Sequence, residues 1–186
     1  MPELIQQWDE SVLVWIAEHL RVPALNGAVS FYTTLGNAGM LFIIAAVVLL
    51  LVRGTRRAGA SAGVGMLLGF LVTNLTIKPL ISRARPWVVL EGLANLATSS
   101  DPNSFPSGHS CAAFAFGVAV ALTAPRRWMK AAALAAAALM AFSRLYVAVH
   151  FPSDVLAGAA IGAVCGLLGA WITRLVRDAW QRRKVS

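Results

Sequence analysis

The run VLAGAAIGAVCGLLGAWI, residues 155–172, decides the fold. It carries no charge over a length close to the roughly 20 apolar residues that a ~30 Å hydrocarbon core requires of an α-helix. Four further apolar stretches precede it, at 36–52, 58–77, 110–124 and 128–147. A chain of 186 residues that is 58% hydrophobic and only 13% charged, with a mean hydropathy of +0.70, is not a soluble domain. The pattern predicts an all-α, polytopic membrane helical bundle of about five transmembrane helices over residues 36–176, followed by a basic cytoplasmic tail at 177–186. The stretches at 36–52 and 110–124 are short and should borrow flanking residues or meet a thinned bilayer.

Residues 1–35 read differently. Leu4, Ile5, Trp8, Val12, Trp15, Ile16 and Leu20 recur at helical spacing, while Asp9, Glu10, Glu18 and His19 take the other face. That suits an N-terminal amphipathic interfacial helix, with a sixth span as the alternative. It lacks the basic start and unbroken apolar core of a signal peptide. Pro23 should open a second short helix leading through Phe31 and Tyr32 into the first span. Gly158, Gly162 and Gly166 form a smooth strip along the last span, read chiefly as a seat for another helix of the same chain and secondarily as an oligomer contact. Cys111 and Cys165, placed inside spans near opposite helix ends, read as packing residues and not as a disulfide.

Charge orients the spans. Of the 16 basic residues, eleven follow the first, third and fifth spans (Arg53, Arg56, Arg57, Arg126, Arg127, Lys130, Arg174, Arg177, Arg182, Arg183, Lys184), whereas seven of the eight acids fall on the other face. Lys and Arg in short loops favour the cytoplasm, so the net charge of +8 is mostly a topology signal with a possible pull toward anionic headgroups. Nucleic acid is a poor partner for these loops, which are short, adjoin spans and lack interleaved aromatics.

Against this asymmetry, Lys78, Arg83, Arg85 and Arg144 are placed at the acidic end. A mid-bilayer cation costs roughly 2.5–3.5 kcal/mol on insertion scales, and less toward the interface, so something must receive these charges. Arg83 is open between snorkelling to headgroups and a part in the site. Lys78, Arg85 and Arg144 point to phosphate, since Arg offers a planar fork of donors and Lys a compact charge. Pro106-Ser107-Gly108-His109 precedes an apolar helix, where Ser107 can cap, Gly108 can let backbone N–H groups approach an anion, and His109 can exchange protons. His150 and Asp154 stand four residues apart near a helix start; a carboxylate on one ring nitrogen leaves the other free as a nucleophile. Alternating spans gather all of these groups on one membrane face.

The pattern Lys78-x6-Arg85-Pro86, Pro106-Ser107-Gly108-His109, Ser143-Arg144-x5-His150-x3-Asp154 resembles the three-part signature of the type 2 phosphatidic acid phosphatase superfamily, matching every signature position over residues 78–154. The resemblance implies a metal-independent lipid phosphate or diphosphate phosphatase without cofactor. In it, His150 attacks phosphorus to form a phosphohistidine and Asp154 orients it. His109 protonates the leaving oxygen and then activates water. Lys78, Arg85 and Arg144, with Ser107 and the Gly108 N–H, hold the phosphoryl oxygens. Beyond Asp154 only Glu91 and Asp101 are acidic nearby in sequence, which makes no carboxylate cage for a metal.

A site at headgroup depth predicts a membrane lipid phosphate as substrate, with the site on the extracytoplasmic side of the plasma (inner) membrane. Undecaprenyl diphosphate leads, ahead of phosphatidate, phosphatidylglycerol phosphate and lipid A; phosphoryl transfer to another acceptor and simple lipid-phosphate binding or transport are the alternatives. The family also resembles vanadate-dependent haloperoxidases at these motifs, but those are soluble. The loop at 87–105, with Glu91, Asn95, Asp101 and Asn103, is read as part of the rim or as ordinary loop polarity. The sequence leaves the oligomeric state open.

Overall fold

A computed structural model describes residues 2–97 and 101–184. The helices, numbered along the chain, are α1 (Glu3–His19), α2 (Pro23–Leu35), α3 (Met40–Leu51), α4 (Arg53–Leu80), α5 (Pro86–Val89), α6 (Gly108–Thr123), α7 (Arg127–Tyr146) and α8 (Pro152–Arg182). No strand occurs among the described residues. The all-α membrane bundle is thus the fold. α4, α7 and α8 are each long and apolar enough to cross a membrane. α6, at 16 residues, is about 24 Å long and falls short of a full hydrocarbon core.

The first predicted span is broken. α2 and α3 together have the length and composition of a crossing, but they meet at 54° across Gly36–Gly39, where Ala38 and Gly39 adopt φ of 52° and 74°. Gly39 takes that reversed backbone sign without cost, while Ala38 adopts it as an L-residue. Pro23 occupies the first turn of α2, as expected. α8 runs ten residues beyond the predicted span, so the basic tail continues the helix as far as Arg182.

α6 is the central helix, packed on α4, α7 and α8. Its alanines make this close approach feasible: Ala113, Ala115 and Ala119 are fully buried. The glycine strip of α8 seats α6 in parallel register, Gly158 against Ser107, Gly162 against Cys111 and Gly166 against Ala115. The intramolecular reading of that strip is therefore the right one. On its other side α8 meets α4, with Gly169 against Ser61 and Gly65. Cys111 and Cys165, both free and buried, converge beside Gly69 in place of lying at opposite ends.

α1 forms as expected but carries an acid on its bundle face. Its bundle-facing stripe is Asp9, Leu13 and Ile16, all buried, while Leu4, Trp8 and Trp15 are outward and 48–80% exposed. The acidic face was expected to be the wet one; Asp9 instead has no exposed surface. A helix beside lipid can turn apolar residues outward and a paired polar residue inward, which periodicity alone does not reveal.

Candidate active site

Four helix ends meet at one pole of the bundle: the C-termini of α4 and α7 and the N-termini of α6 and α8. The turns holding Arg53–Arg57 and Arg126–Lys130 lie at the opposite pole. α4 reaches the site through a π-helical segment, Leu71–Ile77, which resets the facing of Asn74 and Lys78. Pro86 and Pro152 each start a helix at its first turn. Ser107 caps α6, its hydroxyl oxygen accepting from the Ser110 N–H at 3.3 Å. In α8 the Asp154 carboxylate reaches back to the Phe151 N–H at 2.9 Å.

A cavity of about 760 Å³ opens at this pole, and Lys78, Arg85, Gly108, His109, Arg144 and His150 all line it. Those six residues, scattered over the sequence, are brought together. Ser107 and Asp154 are not on its wall: both are fully buried behind it. The Ser107 hydroxyl is engaged at the helix cap, and the Ser107 N–H donates to the Asp154 carbonyl at 3.0 Å, which ties the start of α6 to that of α8.

The cations are held firmly. Arg85, 2% exposed, donates to the Asp101 carbonyl at 2.6 Å and the Val149 carbonyl at 2.8 Å, with Nη1 3.5 Å from His150 Nε2. Burial lowers its pKa from the ordinary range, with Asp101 and then Asp154 opposing. Arg144, 3% exposed, donates to the Thr33 hydroxyl at 2.6 Å, and its Nε is buried without a partner. Lys78 forms an ion pair with Asp101. Burial would raise the Asp101 pKa, but hydrogen bonds from Lys78 and the Asn103 N–H bring it below the usual carboxylate value.

His150 sits in the turn between α7 and α8, where Ala148 takes a left-handed φ of 55°. That conformation costs an L-residue about 1–2 kcal/mol, and Arg144 and His150 flank it. The imidazole is 2% exposed, with Nδ1 3.7 Å from Asp154 Oδ2. Burial first, then Arg144, Arg85 and Lys78, keep its pKa well below the ordinary 6.5, so the ring is neutral. Nε2 is the nitrogen beside Arg85. His109 faces the same cavity, its Nε2 3.1 Å from the Asn37 side-chain oxygen.

Several site residues escaped the sequence reading. Asn37 sits on the α2–α3 break, and Asn74 in the π segment lies against Gly108, where an added Cβ would come within 3.2 Å of it. Thr33 holds Arg144. The turn-forming Gly36-Asn37 was the only sequence cue among these. Arg83, open between two readings in the sequence, is 8% exposed, does not snorkel, and bonds Asp154 at 2.6 Å. Among the described residues no group of three or more His, Cys, Asp or Glu side chains is placed to hold a metal ion.

The PAP2 superfamily model matches residues 58–178, which is more than half of the chain. The chain belongs to that superfamily. Among curated relatives, an undecaprenyl-diphosphatase of Sulfolobus acidocaldarius is 29% identical over 83% of this chain and 70% of its own length. A lipid A 1-phosphatase of Rhizobium johnstonii is 38% identical over 61% of this chain and 50% of its own length. Two crystal structures superpose with TM-scores of 0.75 at 26% identity. One is LpxE of Aquifex aeolicus, covering 86% of this chain and 92% of its own. The other is a PAP2-type phosphatidylglycerolphosphate phosphatase of Bacillus subtilis, covering 93% and 88%. This PAP2 member is a multi-pass membrane protein and a lipid phosphatase.

Proposed function

We propose that this PAP2 protein hydrolyses the terminal phosphate of a polyprenyl diphosphate of the undecaprenyl type, through a phosphohistidine on His150. The observation that carries the reading is the two-part cavity. Lys78, Arg85 and Arg144 stand at its polar end, and it continues as an apolar groove between Ile43, Val47 and Leu50 of α3 and Leu67 and Phe70 of α4. The groove accepts a long chain: Ile43 to Leu50 alone spans about 10 Å of helix axis. These wall residues are 43–59% exposed in the bare protein, which suits a trough open to acyl or isoprenoid chains. Pure phosphate binding needs no nucleophile, so the neutral His150 beside the cations favours hydrolysis over capture or transport. The similarity to lipid A and phosphatidylglycerolphosphate phosphatases keeps those lipids, and phosphatidate, as the second reading.

In the proposed reaction the His150 Nε2 lone pair attacks the terminal phosphorus, and the P–O bond to the lipid moiety breaks. The electron pair leaves on that oxygen, which His109 protonates. Water that His109 then deprotonates attacks the phosphohistidine, releasing inorganic phosphate and restoring Nε2. The cations and the Gly108 N–H at the α6 N-terminus balance charge on the equatorial oxygens throughout. No metal or cofactor takes part.

Phosphate release by the purified protein from undecaprenyl diphosphate, phosphatidylglycerol phosphate, phosphatidate and lipid A tests the substrate. The diphosphate should give the highest kcat/KM, vanadate should inhibit, and a chelator should leave the rate unchanged. Absence of release from all four would overturn the reading, and chelator loss reversed by a divalent ion would overturn the metal-free mechanism. The basic turns favour an extracytoplasmic site in the plasma membrane. Reporter fusions after Arg57 and Arg127 should then read cytoplasmic and one after Glu91 should read outside; the inverse pattern would move the site to the other leaflet.

A further inference from the structure

Arg83 lies two residues before Arg85 yet turns away from the cavity. Its guanidinium is clasped between two fully buried carboxylates. Nη1 donates to Asp154 Oδ1 at 2.6 Å and to Ser153 Oγ at 2.7 Å; Nη2 donates to Asp9 Oδ2 at 2.6 Å and to Gln6 Oε1 at 2.7 Å. Its flat face covers the Phe151 ring, 4.2 Å from the centroid. Asp9 also grips the start of α8 directly, accepting from the Ser153 N–H at 2.8 Å and the Ser153 hydroxyl at 2.5 Å.

Asp9 belongs to α1, 145 positions before Asp154 and outside residues 58–178 that match the superfamily. Docking a helix does not require this. Buried ion pairs seldom exceed well-packed apolar residues in stability, because desolvation of each charge offsets the attraction. What the arrangement does provide is direction. With one guanidinium nitrogen for each carboxylate, Arg83 engages Asp154 through Oδ1 alone, and Oδ2, which accepts from the Phe151 N–H at 2.9 Å, also lies 3.7 Å from His150 Nδ1. Without Asp9, both nitrogens of the fork would be free to take both Asp154 oxygens, the bidentate pairing that Arg favours. Oδ2, already accepting from the Phe151 N–H, would then be drawn toward the guanidinium and away from the imidazole.

We infer that Asp9 and Arg83 are positioning residues that aim the Asp154 carboxylate at the nucleophilic histidine, so that α1 completes the active site. The inference rests on the assignment of His150 as nucleophile. No new bond is involved: Nδ1, 3.7 Å from Oδ2, keeps its proton under the pull of that carboxylate while Nε2 attacks phosphorus. Gln6 and Ser153 hold the clasp from either side.

The test uses the full-length protein in detergent, with whichever lipid phosphate the wild type turns over. Asp9→Asn preserves shape and removes the charge. It should lower kcat about tenfold to hundredfold, the scale of a misplaced catalytic group, with KM within twofold and the phosphoenzyme forming more slowly in rapid-quench experiments. Asp154→Asn should lose more, on the order of 10⁴-fold, and adding Asp9→Asn to it should cost nothing further. Arg83→Lys should recover part of the rate lost in Arg83→Ala. Wild-type kcat in monodisperse Asp9→Asn, or losses that multiply in the double variant, would overturn the inference by leaving Asp9 a purely structural role. Should Asp9→Asn not yield monodisperse protein, Asp9→Glu and Arg83→Lys carry the same readouts. A wild type that forms no phosphoenzyme defeats the nucleophile assignment itself, a result distinct from both.

Discussion

His150→Ala should abolish phosphate release from every lipid that the wild type hydrolyses, with a loss on the order of 10⁴-fold or more, as when an enzymatic nucleophile is removed. The size follows from placement. His150 is the neutral imidazole at the cavity whose Nε2 stands 3.5 Å from an Arg85 nitrogen, so an entering phosphoryl group is charge-paired and attacked from one spot. Substrate labelled in its terminal phosphate should leave an acid-labile, base-stable label on the wild type and none on the variant. His109→Ala should slow both the gain and the loss of label, because the same imidazole protonates the leaving oxygen and activates water. Lipid binding should survive in His150→Ala, since the cations remain. Retention of more than a hundredth of the wild-type rate would remove His150 from the role of nucleophile.

The second large effect lies behind the site. Gly158→Ala should cost at least about a hundredfold in kcat and reduce the yield of folded protein, although no atom of Gly158 touches the cavity. An added Cβ would fall on the Ser107 carbonyl oxygen, and backbone, unlike a flexible side chain, has no rotamer to escape into. The Ser107 carbonyl accepts the Cys111 N–H in the first turn of α6, so the whole start of that helix would be displaced. Displacements of about 1 Å are enough for losses of 10²-fold. Gly162→Ala should act similarly one turn deeper, against the Cys111 carbonyl. Gly27→Ala is the control: an added Cβ there meets nothing within 4 Å, and alanine favours the helix by about 0.5–1 kcal/mol. Wild-type kcat in Gly158→Ala would show that the α6–α8 register does not set the site.

Much of this architecture could be read from the chain because its governing patterns are local. Apolar runs of span length locate the crossings, and the signature residues fall at their ends, so alternation of the spans gathers Lys78, Arg85, His109, Arg144 and His150. What stayed hidden depends on which surface meets lipid. In water the apolar residues of α1 would turn inward; here Leu13 and Ile16 do so, but Trp8 and Trp15 are outward and Asp9 is inward, an arrangement the 3.6-residue period fits equally well. Arg83 stayed undecided between headgroups and the site because its two carboxylate partners come from α1 and α8, far apart in sequence. Thr33, Asn37 and Asn74 are isolated polar residues without a diagnostic spacing. Their places follow only from the bend at Gly36–Gly39 and the π-helical turn of α4.

The cavity's unlike ends also bear on what happens after bond cleavage. The two products differ in kind, one a small hydrated anion and the other a chain that water rejects. The charged end, lined by His109 and Lys78, suits the anion, while the apolar trough between α3 and α4 suits the chain. Turnover of the proposed reaction can therefore discharge both products at once, each into the phase that dissolves it, and the enzyme need never lift its lipid out of the membrane.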